Sequence, residues 1–442
     1  MSPSWQQPAQ VQNQGHRLTL GWRYSGRPAD LSEHGDRYGP LPGSGRHAKP
    51  VRHWLADAVA EAGLTGRGGA GFPTGTKMGA VASRRGAAVV VANGMESEPA
   101  SEKDQALLAK APHLVLDGAV LAAAAVGADT VHVCLDRTRE RQALDVQRAI
   151  GERQRAGQNS VRIVAHQLPP HYVASEETAV VRWLNGGDAK PTATPPRPFE
   201  RGVRGRPTLI DNVETLAHIA LIARFGPAWF RQAGHPDAPG TMLVTVGGAV
   251  ANPGVYEIEG GTRVGAVLTM SGAISGGSVL VGGYFGTWHV TRSVADLPLT
   301  ASGLFSAGAS PGAGVLFVLP DDGCGITASA RILGYLARES AGQCGPCMFG
   351  LPAVASDFAQ LAAGRPDGNV LGRLTRRLGV IAGRGACRHP DGAVRLAASA
   401  LAAFGSDARA HATGRPCLAS HRRRPPVGSP PIPRPWAEGE WR

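Results

Sequence analysis

The amino-acid sequence predicts an α/β protein in which a parallel sheet is followed by a smaller mixed module and a helical C-terminal region. Three observations support this prediction. Short apolar runs alternate with longer helical patterns between residues 87 and 166, further short runs lie between residues 241 and 283, and amphipathic segments fill the chain after residue 325. Alternation of strands and helices along a chain is typical of parallel sheets.

The first group of elements has the order strand, helix, strand, helix, strand. Its members are the strand AAVVVAN (87–93), the helix HLVLDGAVLAAAAVG (113–127), the strand TVHVCL (130–135), the helix RERQALDVQRAIGERQ (139–154) and the strand VRIVAH (161–166). This order predicts parallel strands joined by right-handed crossovers. A Pro- and Arg-rich stretch (191–207) separates this group from the next.

The second group predicts a small β-grasp module. It contains a hairpin pair, TMLVTVGG (241–248) and GVYEIEGG (254–261), then a short helix (264–272) and a strand (278–283). The remainder is helical, with four amphipathic segments joined by short connections, which predicts a small bundle. These segments are ITASARILGYLARES, LPAVASDFAQLAAG, NVLGRLTRRLGVIAG and GAVRLAASALAAFG.

Composition narrows the class of protein. Residues 1–45 are rich in Gln, Gly, Pro and Ser and are predicted to be disordered, as is the Pro- and Arg-rich tail of residues 411–442. Only five of the 46 basic residues are Lys, and the Arg residues are scattered, so the net charge of +12 favours a basic surface for acidic protein partners over nucleic-acid binding. Because neither a signal peptide nor a membrane-spanning stretch is evident, we expect a cytoplasmic protein without direct membrane insertion.

A glycine-dense loop, TGRGGAGFPTG, follows a helix predicted over residues 51–64. Gly66, Gly68 and Gly71 satisfy the G-x-G-x-x-G pattern, but the dinucleotide fingerprint follows a strand, so the pattern alone is a weak signal. Glycines let the backbone approach a flat ring or a phosphate, and the loop N–H groups together with Lys77 could bind the anion. The alternative is a flexible surface linker, against which stands the apolar pair Phe72-Pro73.

Two acidic motifs accompany this loop. NGMESEP (93–99) directly follows a predicted strand, at the carboxyl edge where α/β proteins bind ligands. YVASEET (172–178) places Glu176 and Glu177 at a predicted helix start, where the helix dipole favours carboxylates. Helix capping alone would explain one of these two glutamates.

Three of the six cysteines, Cys344, Cys347 and Cys387, have the spacing of metal ligands. Cys344-Gly-Pro-Cys347 could be a redox dithiol, but that motif needs a preceding strand, and the residues before it are predicted to be helical. Zinc would accept the three thiolates with His389. An iron–sulfur site and a set of relic cysteines in a packed bundle are the remaining interpretations.

Five motifs in one order carry a family resemblance: GLTGRGGAGFPTGTKM, NGMESEPASEKD, YVASEETAVVRWLNG, TLIDNVETLA and ESAGQCGPC. From about residue 50 to 410 the chain resembles the NADH-binding flavoprotein subunit of bacterial respiratory complex I (NADH-quinone oxidoreductase). Relatives in NAD-linked formate dehydrogenases and hydrogenases share the pattern. The resemblance implies a Rossmann-like FMN- and NAD-binding domain (46–235), a β-grasp (SLBB) domain (236–315) and a four-helix iron–sulfur domain (322–410).

The resemblance also implies an activity. NADH, or NADPH, would give a hydride to FMN, and single electrons would leave through a [4Fe-4S] cluster toward a ferredoxin-like protein or a membrane redox complex to which this chain would be peripheral. The FMN-binding positions then fall on Gly66, Gly68, Lys77, Asn93, Glu96, Tyr172, Glu176, Glu177, Asn212 and Thr215. Phe72 and Glu98 fall where the family contacts the nicotinamide nucleotide, and Glu177 would orient the nicotinamide as the catalytic residue.

Several positions depart from the family pattern. Met95 and Asp211 replace polar residues of the flavin site, an Asp and an Asn respectively, and Ser175 replaces a glycine. Ala80 replaces an aromatic residue, and the family's K-P-P-F-P has Thr194 and Arg197 in place of its Lys and Phe. Losing a stacking ring or a Lys would each weaken nucleotide binding by about 1 kcal/mol.

The cluster motif departs as well, because Ala341 stands where the family has its first cysteine. Cys344, Cys347 and Cys387 then predict either a [3Fe-4S] cluster or a [4Fe-4S] cluster whose last iron takes water, a carboxylate or Cys417. These departures leave an alternative function, a catalytically silent relative that acts as a structural or interaction scaffold.

Overall fold

The computed structural model of the protein describes residues 16–22, 26–42, 50–274, 277–421, 426–434 and 440–442. The helices of the N-terminal half are α1 (Leu31–Tyr38), α2 (Leu55–Ala62), α3 (Thr74–Ala82), α4 (Lys103–Lys110), α5 (Pro112–Val126), α6 (Glu140–Arg155), α7 (Glu177–Leu184) and α8 (Val213–Phe230). Its strands are β1 (Ala88–Gly94), β2 (Ala128–Asp136), β3 (Arg162–Leu168) and β4 (Thr208–Asn212). Short 3-10 turns lie at Val51–His53, Tyr172–Ser175 and Val203–Gly205.

These strands form one sheet in the order β3-β2-β1-β4, and every pairing is parallel. The predicted parallel sheet is therefore confirmed. β4 follows the Pro- and Arg-rich stretch and pairs with β1, so that stretch is a connection within the sheet and not a boundary between domains. Along β1, Val90 and Ala92 pack into the large core with α5 and α8, whereas Val89 and Val91 pack into a smaller core on the other face.

Helices α5 and α8 pack closely against each other on one face of this sheet. At Gly118 of α5 a Cβ atom would lie 1.8 Å from the Leu216 carbonyl oxygen, so only glycine allows this approach. Nearly all of α8 is buried. The core under β1 and β4 therefore fixes the carboxyl edge of the sheet.

The middle of the chain forms a second sheet. Its elements are the short ribbon β5 (Gly234–His235) and β6 (Ala238–Pro239), then β7 (Thr241–Gly248), β8 (Gly254–Glu259), α9 (Val264–Met270), β9 (Ser278–Val281), β10 (Thr287–Val290), the 3-10 turn Thr291–Ser293, α10 (Ala301–Phe305) and β11 (Val315–Val318). The five longer strands have the order β10-β9-β11-β7-β8, with β11 parallel to β7 and the other pairs antiparallel. The predicted hairpin, helix and strand are all present.

The C-terminal part is helical. It comprises α11 (Gly325–Arg338), a π-helical turn (Pro346–Gly350), α12 (Leu351–Ala362), α13 (Val370–Ile381), α14 (His389–Ala403), α15 (Gly405–Ala412) and a 3-10 turn (Leu418–His421). The four predicted segments each form a helix, and they share one apolar core that includes Leu336, Phe358, Leu374 and Leu396.

The prediction that residues 1–45 are disordered is wrong for the part of this segment that the structure describes. Helix α1 begins with a capping box at Asp30 and Glu33. Upstream, the backbone N–H groups of Arg17 and Leu18 each donate to the Glu257 carboxylate at 2.9 Å. Leu18 is fully buried. A polar composition predicts disorder, but one buried leucine and one distant carboxylate order this segment.

The predicted unstructured tail is also ordered where it is described. The Trp441 ring stacks on His171 with 3.8 Å between centroids, and the Trp441 carbonyl accepts from the Ala189 N–H at 2.8 Å. The Tyr284 hydroxyl donates to the Pro431 carbonyl. Residues 422–425 and 435–439 lie outside the described residues.

No single helix of the described residues combines the length and the apolar composition needed to cross a membrane. Helices α4 and α5 meet this criterion only as a pair, and they are bent by 96°.

Candidate functional site

The glycine loop between α2 and α3 lies on the carboxyl edge of the first sheet. The Gly66 N–H donates to the Phe72 carbonyl at 2.8 Å, and the Arg67 N–H donates to the Thr215 hydroxyl at 2.9 Å. Within the described residues, no atom accepts a hydrogen bond from the N–H groups of residues 68–72. Gly69 and Gly71 have φ angles of 99° and 63°. Consecutive unpaired amides in such a turn form a binding site for an anion.

Two asparagines lie near the ends of neighbouring strands under this loop. Asn93, the penultimate residue of β1, is directly in register with Asn212, the last residue of β4. Since β1 leads to β2 on one side and has β4 on the other, this edge is the topological switch point, where α/β proteins bind ligands. A Cβ atom on Gly68 would lie 3.5 Å from the Asn212 Cβ, which places the loop directly over this point.

Lys77 of α3 forms an ion pair below the loop. Its Nζ donates to the Ile210 carbonyl at 2.8 Å and lies 3.2 Å from the Asp211 carboxylate. Burial raises the pKa of Asp211, an effect that Lys77 opposes and Glu177 reinforces. The second oxygen of Asp211 is buried and has no partner among the described residues. Lys77 therefore meets a carboxylate where the family has an amide.

The two adjacent glutamates differ in their contacts. Glu176 is the N-cap of α7 and accepts from the Thr178 and Ala179 N–H groups at 2.9 and 3.1 Å. The Glu177 carboxylate is half-buried and has no hydrogen-bond partner among the described residues. Helix capping accounts for the presence of Glu176, as expected for one of the two glutamates. The Glu177 carboxylate remains available to bind a ligand.

The NGMESEP motif also contains one glutamate that caps a helix and one glutamate whose carboxyl group is buried. Glu96 accepts from the Asp104 and Gln105 N–H groups at 3.0 Å each, at the start of α4. Glu98 accepts from the Tyr172 hydroxyl at 2.9 Å and from the Tyr284 N–H at 2.8 Å. Burial raises the pKa of Glu98 to about 7. Glu98 thus joins the first sheet to the second.

Other residues of the predicted set take up supporting positions. The Asn93 side-chain amide donates to the Ser175 carbonyl at 2.9 Å and so ties β1 to the YVASEET motif. The Asn212 side chain caps α8 by accepting from the Glu214 N–H at 3.0 Å. Phe72 extends from the loop with 50% of its surface exposed. The loop, both asparagines and the start of α7 therefore meet at the carboxyl edge of the first sheet, and we refer to the space between them as the crevice.

Cys344 and Cys347 lie on one turn between α11 and α12. The Cys344 carbonyl accepts from the Cys347 N–H at 3.0 Å. Burial raises the pKa of Cys347 to about 12, and Cys344 and Cys387 add to this rise. No three ligand atoms from these cysteines and His389 lie within 4.8 Å of one another, so a single zinc ion does not fit them. A cluster with separate iron atoms suits a wider spacing.

Helix α11, which leads into the cysteine turn, ends in contact with the YVASEET motif and its preceding histidine. The Glu339 carboxylate, at the end of α11, accepts from the Tyr172 N–H at 3.1 Å and lies 3.2 Å from the His171 ring nitrogen. Glu176 adds to the raised pKa of Cys387. Because α11 precedes the turn, the strand that a thioredoxin-type dithiol requires is absent from this described segment.

Sequence reasoning missed two features. Lys103 lies under Asn212, between the carboxylates of Asp104 at 2.6 Å and Glu214 at 3.0 Å. Cys417, considered above as a ligand of the cluster, lies instead beside Cys324 and His411. The only feature of the sequence that indicates this position of Cys417 is His411, six residues upstream.

The fold and the site define an α/β nucleotide-binding protein joined to a cysteine-containing helical unit. Two family models match the chain: the Nuo51 FMN-binding domain at residues 59–221, and the NADH-ubiquinone oxidoreductase-F iron-sulfur binding region at residues 327–411. The chain belongs to the family of the NADH-quinone oxidoreductase F subunits. This confirms the predicted family, its class of oxidoreductase and the two expected cofactors.

Individual relatives agree with this assignment. The chain is 32% identical over 375 residues to the F subunit of NADH-quinone oxidoreductase in Streptomyces coelicolor, which covers 81% of this chain and 83% of that protein. It is 30% identical to the second F subunit of the Rhizobium meliloti enzyme, over 82% of this chain and 90% of that protein. A crystal structure of an NAD+-reducing [NiFe]-hydrogenase matches with a TM-score of 0.78 and 29% identity, over 91% of this chain and 67% of that one.

Proposed function

We propose that this chain oxidises NADH at a bound FMN and passes the electrons singly to an iron–sulfur cluster in its helical unit. The observation that carries the proposal is the row of unpaired amides at residues 68–72, at the switch point of the sheet. When bound, FMN supplies the step from two-electron to one-electron chemistry. The residues described above bind and orient the reactants.

The chemistry of the residues around the crevice suits FMN. Loop amides and Lys77 would hold the phosphate, and the absence of side chains at Gly66 and Gly68 would let the flavin approach the backbone. Asn93 and Asn212, at the strand ends, would flank it. The full proposed set is Gly66, Gly68, Lys77, Asn93, Glu96, Tyr172, Glu176, Glu177, Asn212 and Thr215.

The nicotinamide nucleotide would bind on the open side of the crevice. Phe72 is exposed there and offers a ring for stacking. Glu98 would contact the nucleotide from the junction of the two sheets, and Glu177, whose carboxylate has no described partner, would orient the nicotinamide.

Cys344, Cys347 and Cys387 would hold the cluster. With Ala341 in place of a fourth thiolate, we propose a [3Fe-4S] cluster or a [4Fe-4S] cluster with a ligand other than cysteine. Glu339 accepts from the Tyr172 N–H, a contact that would keep the cysteine turn near the flavin side of the crevice. This contact would position donor and acceptor for electron transfer.

The proposed domains are a Rossmann-like domain (46–235), a β-grasp (SLBB) domain (236–315) and a four-helix iron–sulfur domain (322–410). The β-grasp boundary at 315 needs correction to at least Val318, because strand β11 (Val315–Val318) belongs to the second sheet. The second sheet, with its central parallel pair β7 and β11, supports the β-grasp assignment. We further propose that the electron acceptor is a ferredoxin-like protein or another redox subunit, and that the chain is peripheral to such a complex.

Flavin, iron and sulfide analysis after anaerobic purification tests the proposal. A matched pair of variants sharpens it, because Gly68→Ala places a methyl group in the crevice, whereas Gly79→Ala places one in open space on α3. The Gly68 Cβ would make only an ordinary contact with Asn212, so this variant should fold. We expect flavin loss in Gly68→Ala alone. A colourless wild-type protein without iron would contradict the proposal and favour the scaffold function.

A further inference from the structure

A second group of metal-ligating side chains lies at the base of the helical unit. Cys324 is the N-cap of α11, His411 lies in the last turn of α15, and Cys417 follows α15. Their ligand atoms all lie within 4.8 Å of one another, and the Cys324 sulfur is 3.7 Å from His411 Nε2. Among the described residues, this is the only such group of three.

The His411 ring is oriented for ligation. Its Nδ1 lies 3.0 Å from the Leu361 carbonyl oxygen. Because a carbonyl can only accept, Nδ1 carries the proton and Nε2 is left as an acceptor on the side of the ring where the two cysteines lie. A ring nitrogen held by a backbone carbonyl is the usual support of a metal-binding histidine. His411 is fully buried, so this orientation is fixed by packing.

The position of Cys417 beside His411 is also fixed, in this case by the backbone. The chain turns at Gly414, which has a φ angle of 73°. Pro416 then packs on Gly364, where a Cβ atom would lie 2.6 Å from the proline ring. The Cys417 N–H donates to His411 Nε2 at 3.1 Å. A metal ion would replace this amide at Nε2.

We propose that Cys324, His411 and Cys417 bind a zinc ion, at a site separate from Cys344, Cys347 and Cys387. Two thiolates and one imidazole are ligands that zinc prefers. With Zn–S near 2.3 Å and Zn–N near 2.0–2.1 Å, a tetrahedral site separates sulfur from nitrogen by about 3.6 Å. The distance between Cys324 and His411 already meets this requirement. Water would complete the coordination.

The ion would join the start of the helical unit to the segment beyond its last helix. Cys324 precedes α11, and Cys417 follows α15, so the site closes the chain around the whole cysteine-containing unit. Helix α11 leads directly to the cysteine turn. The zinc ion would therefore hold both ends of this unit together without taking part in electron transfer.

The test uses the full chain, purified anaerobically, with zinc and iron measured by mass spectrometry. We expect zinc in stoichiometric amount in the wild type, and its loss in Cys417→Ser and His411→Gln with iron unchanged. Cys417 is partly exposed and lies after the last α-helix, so its variant should fold. Cys134→Ser, in the buried strand β2, is the matched control and should keep its zinc. X-ray absorption at the zinc edge should show two sulfur neighbours and two lighter neighbours, the histidine nitrogen and the water oxygen.

Four results would overturn the proposal. Zinc could remain in both the Cys417→Ser and His411→Gln variants, or it could disappear only from variants of Cys344 and Cys387. Alternatively, mass spectrometry of the alkylated chain could find a disulfide between Cys324 and Cys417 and no zinc. A chelator should lower the thermal midpoint of the wild type but leave that of Cys417→Ser unchanged, and equal shifts in both would also contradict the site.

Discussion

Glu98→Gln should change how the stability of the protein depends on pH. The Glu98 carboxyl group is 8% exposed, and one of its oxygens accepts from both the Tyr172 hydroxyl and the Tyr284 N–H. Burial raises its pKa from 4.5 to about 7. Since one pKa unit corresponds to about 1.4 kcal/mol, the preference of the folded state for the protonated form is worth roughly 3 kcal/mol.

The direction of this pH dependence follows from the number of protons that the folded and unfolded states bind. Between pH 4.5 and about 7 the folded state holds a proton on Glu98 that the unfolded state has lost. The free energy of unfolding therefore falls as the pH rises through this range, and the loss is complete above it. Between pH 5 and pH 8 the contribution of this group amounts to roughly 2.5 kcal/mol. Glutamine cannot titrate, so the free energy of unfolding of the variant lacks this pH-dependent contribution.

Urea unfolding of the wild type, Glu98→Gln and the control Glu102→Gln at pH 5 and pH 8 measures the effect. Glutamine has one accepting oxygen and loses the bond that the Ala100 N–H donates to Glu98 at 3.2 Å. That cost is the same at both pH values and cancels in the comparison. Glu102 is exposed and should give the wild-type slope. Equal pH dependence in the wild type and Glu98→Gln would refute the reasoning.

Three further perturbations have defined outcomes. Asp117→Asn should lower the free energy of unfolding by about 3–5 kcal/mol, because two buried arginines lose their shared carboxylate, and an unchanged thermal midpoint would contradict this. Asp211→Asn should tighten FMN binding about tenfold by releasing Lys77, as measured by flavin fluorescence. Riboflavin, which lacks the phosphate, is the control ligand. An equal gain in affinity for FMN and riboflavin would contradict the proposed release of Lys77. Ala341→Cys should raise the iron content per chain toward a four-iron cluster, whereas an unchanged content would show that the fourth position is not at residue 341.

Strand β1 could be predicted because its valine-rich run is buried on both faces of the sheet. Strand β4 (Thr208–Asn212), a short run directly after the Pro- and Arg-rich stretch, was not predicted. Helix α8 could not be predicted in the same way. Nearly all of its residues are buried, from Val213 to Phe230, so it shows no amphipathic period. The ordered N-terminal segment was missed for a different reason, since its partner Glu257 is 240 residues away in the sequence.

The candidate site could be predicted in outline but not in its hydrogen bonding. The glycine loop, the strand ends and the cysteine turn were each identified from local motifs. Whether Glu96 binds a ligand or caps α4 depends on the amides of Asp104 and Gln105, which no motif encodes. The position of Cys417 depends on the turn at Gly414 and on the packing of Pro416.

The charges beneath the crevice explain how the protein accommodates Asp211. Lys103 is shared by Asp104 and Glu214, and Arg67 lies 3.7 Å from Glu214, so the floor of the crevice already consists of paired buried charges. Asp211 extends this pattern by pairing with Lys77. The lysine charge is then largely compensated before any anion binds. It follows that the amides of residues 68–72, and not Lys77, provide most of the attraction for a phosphate group.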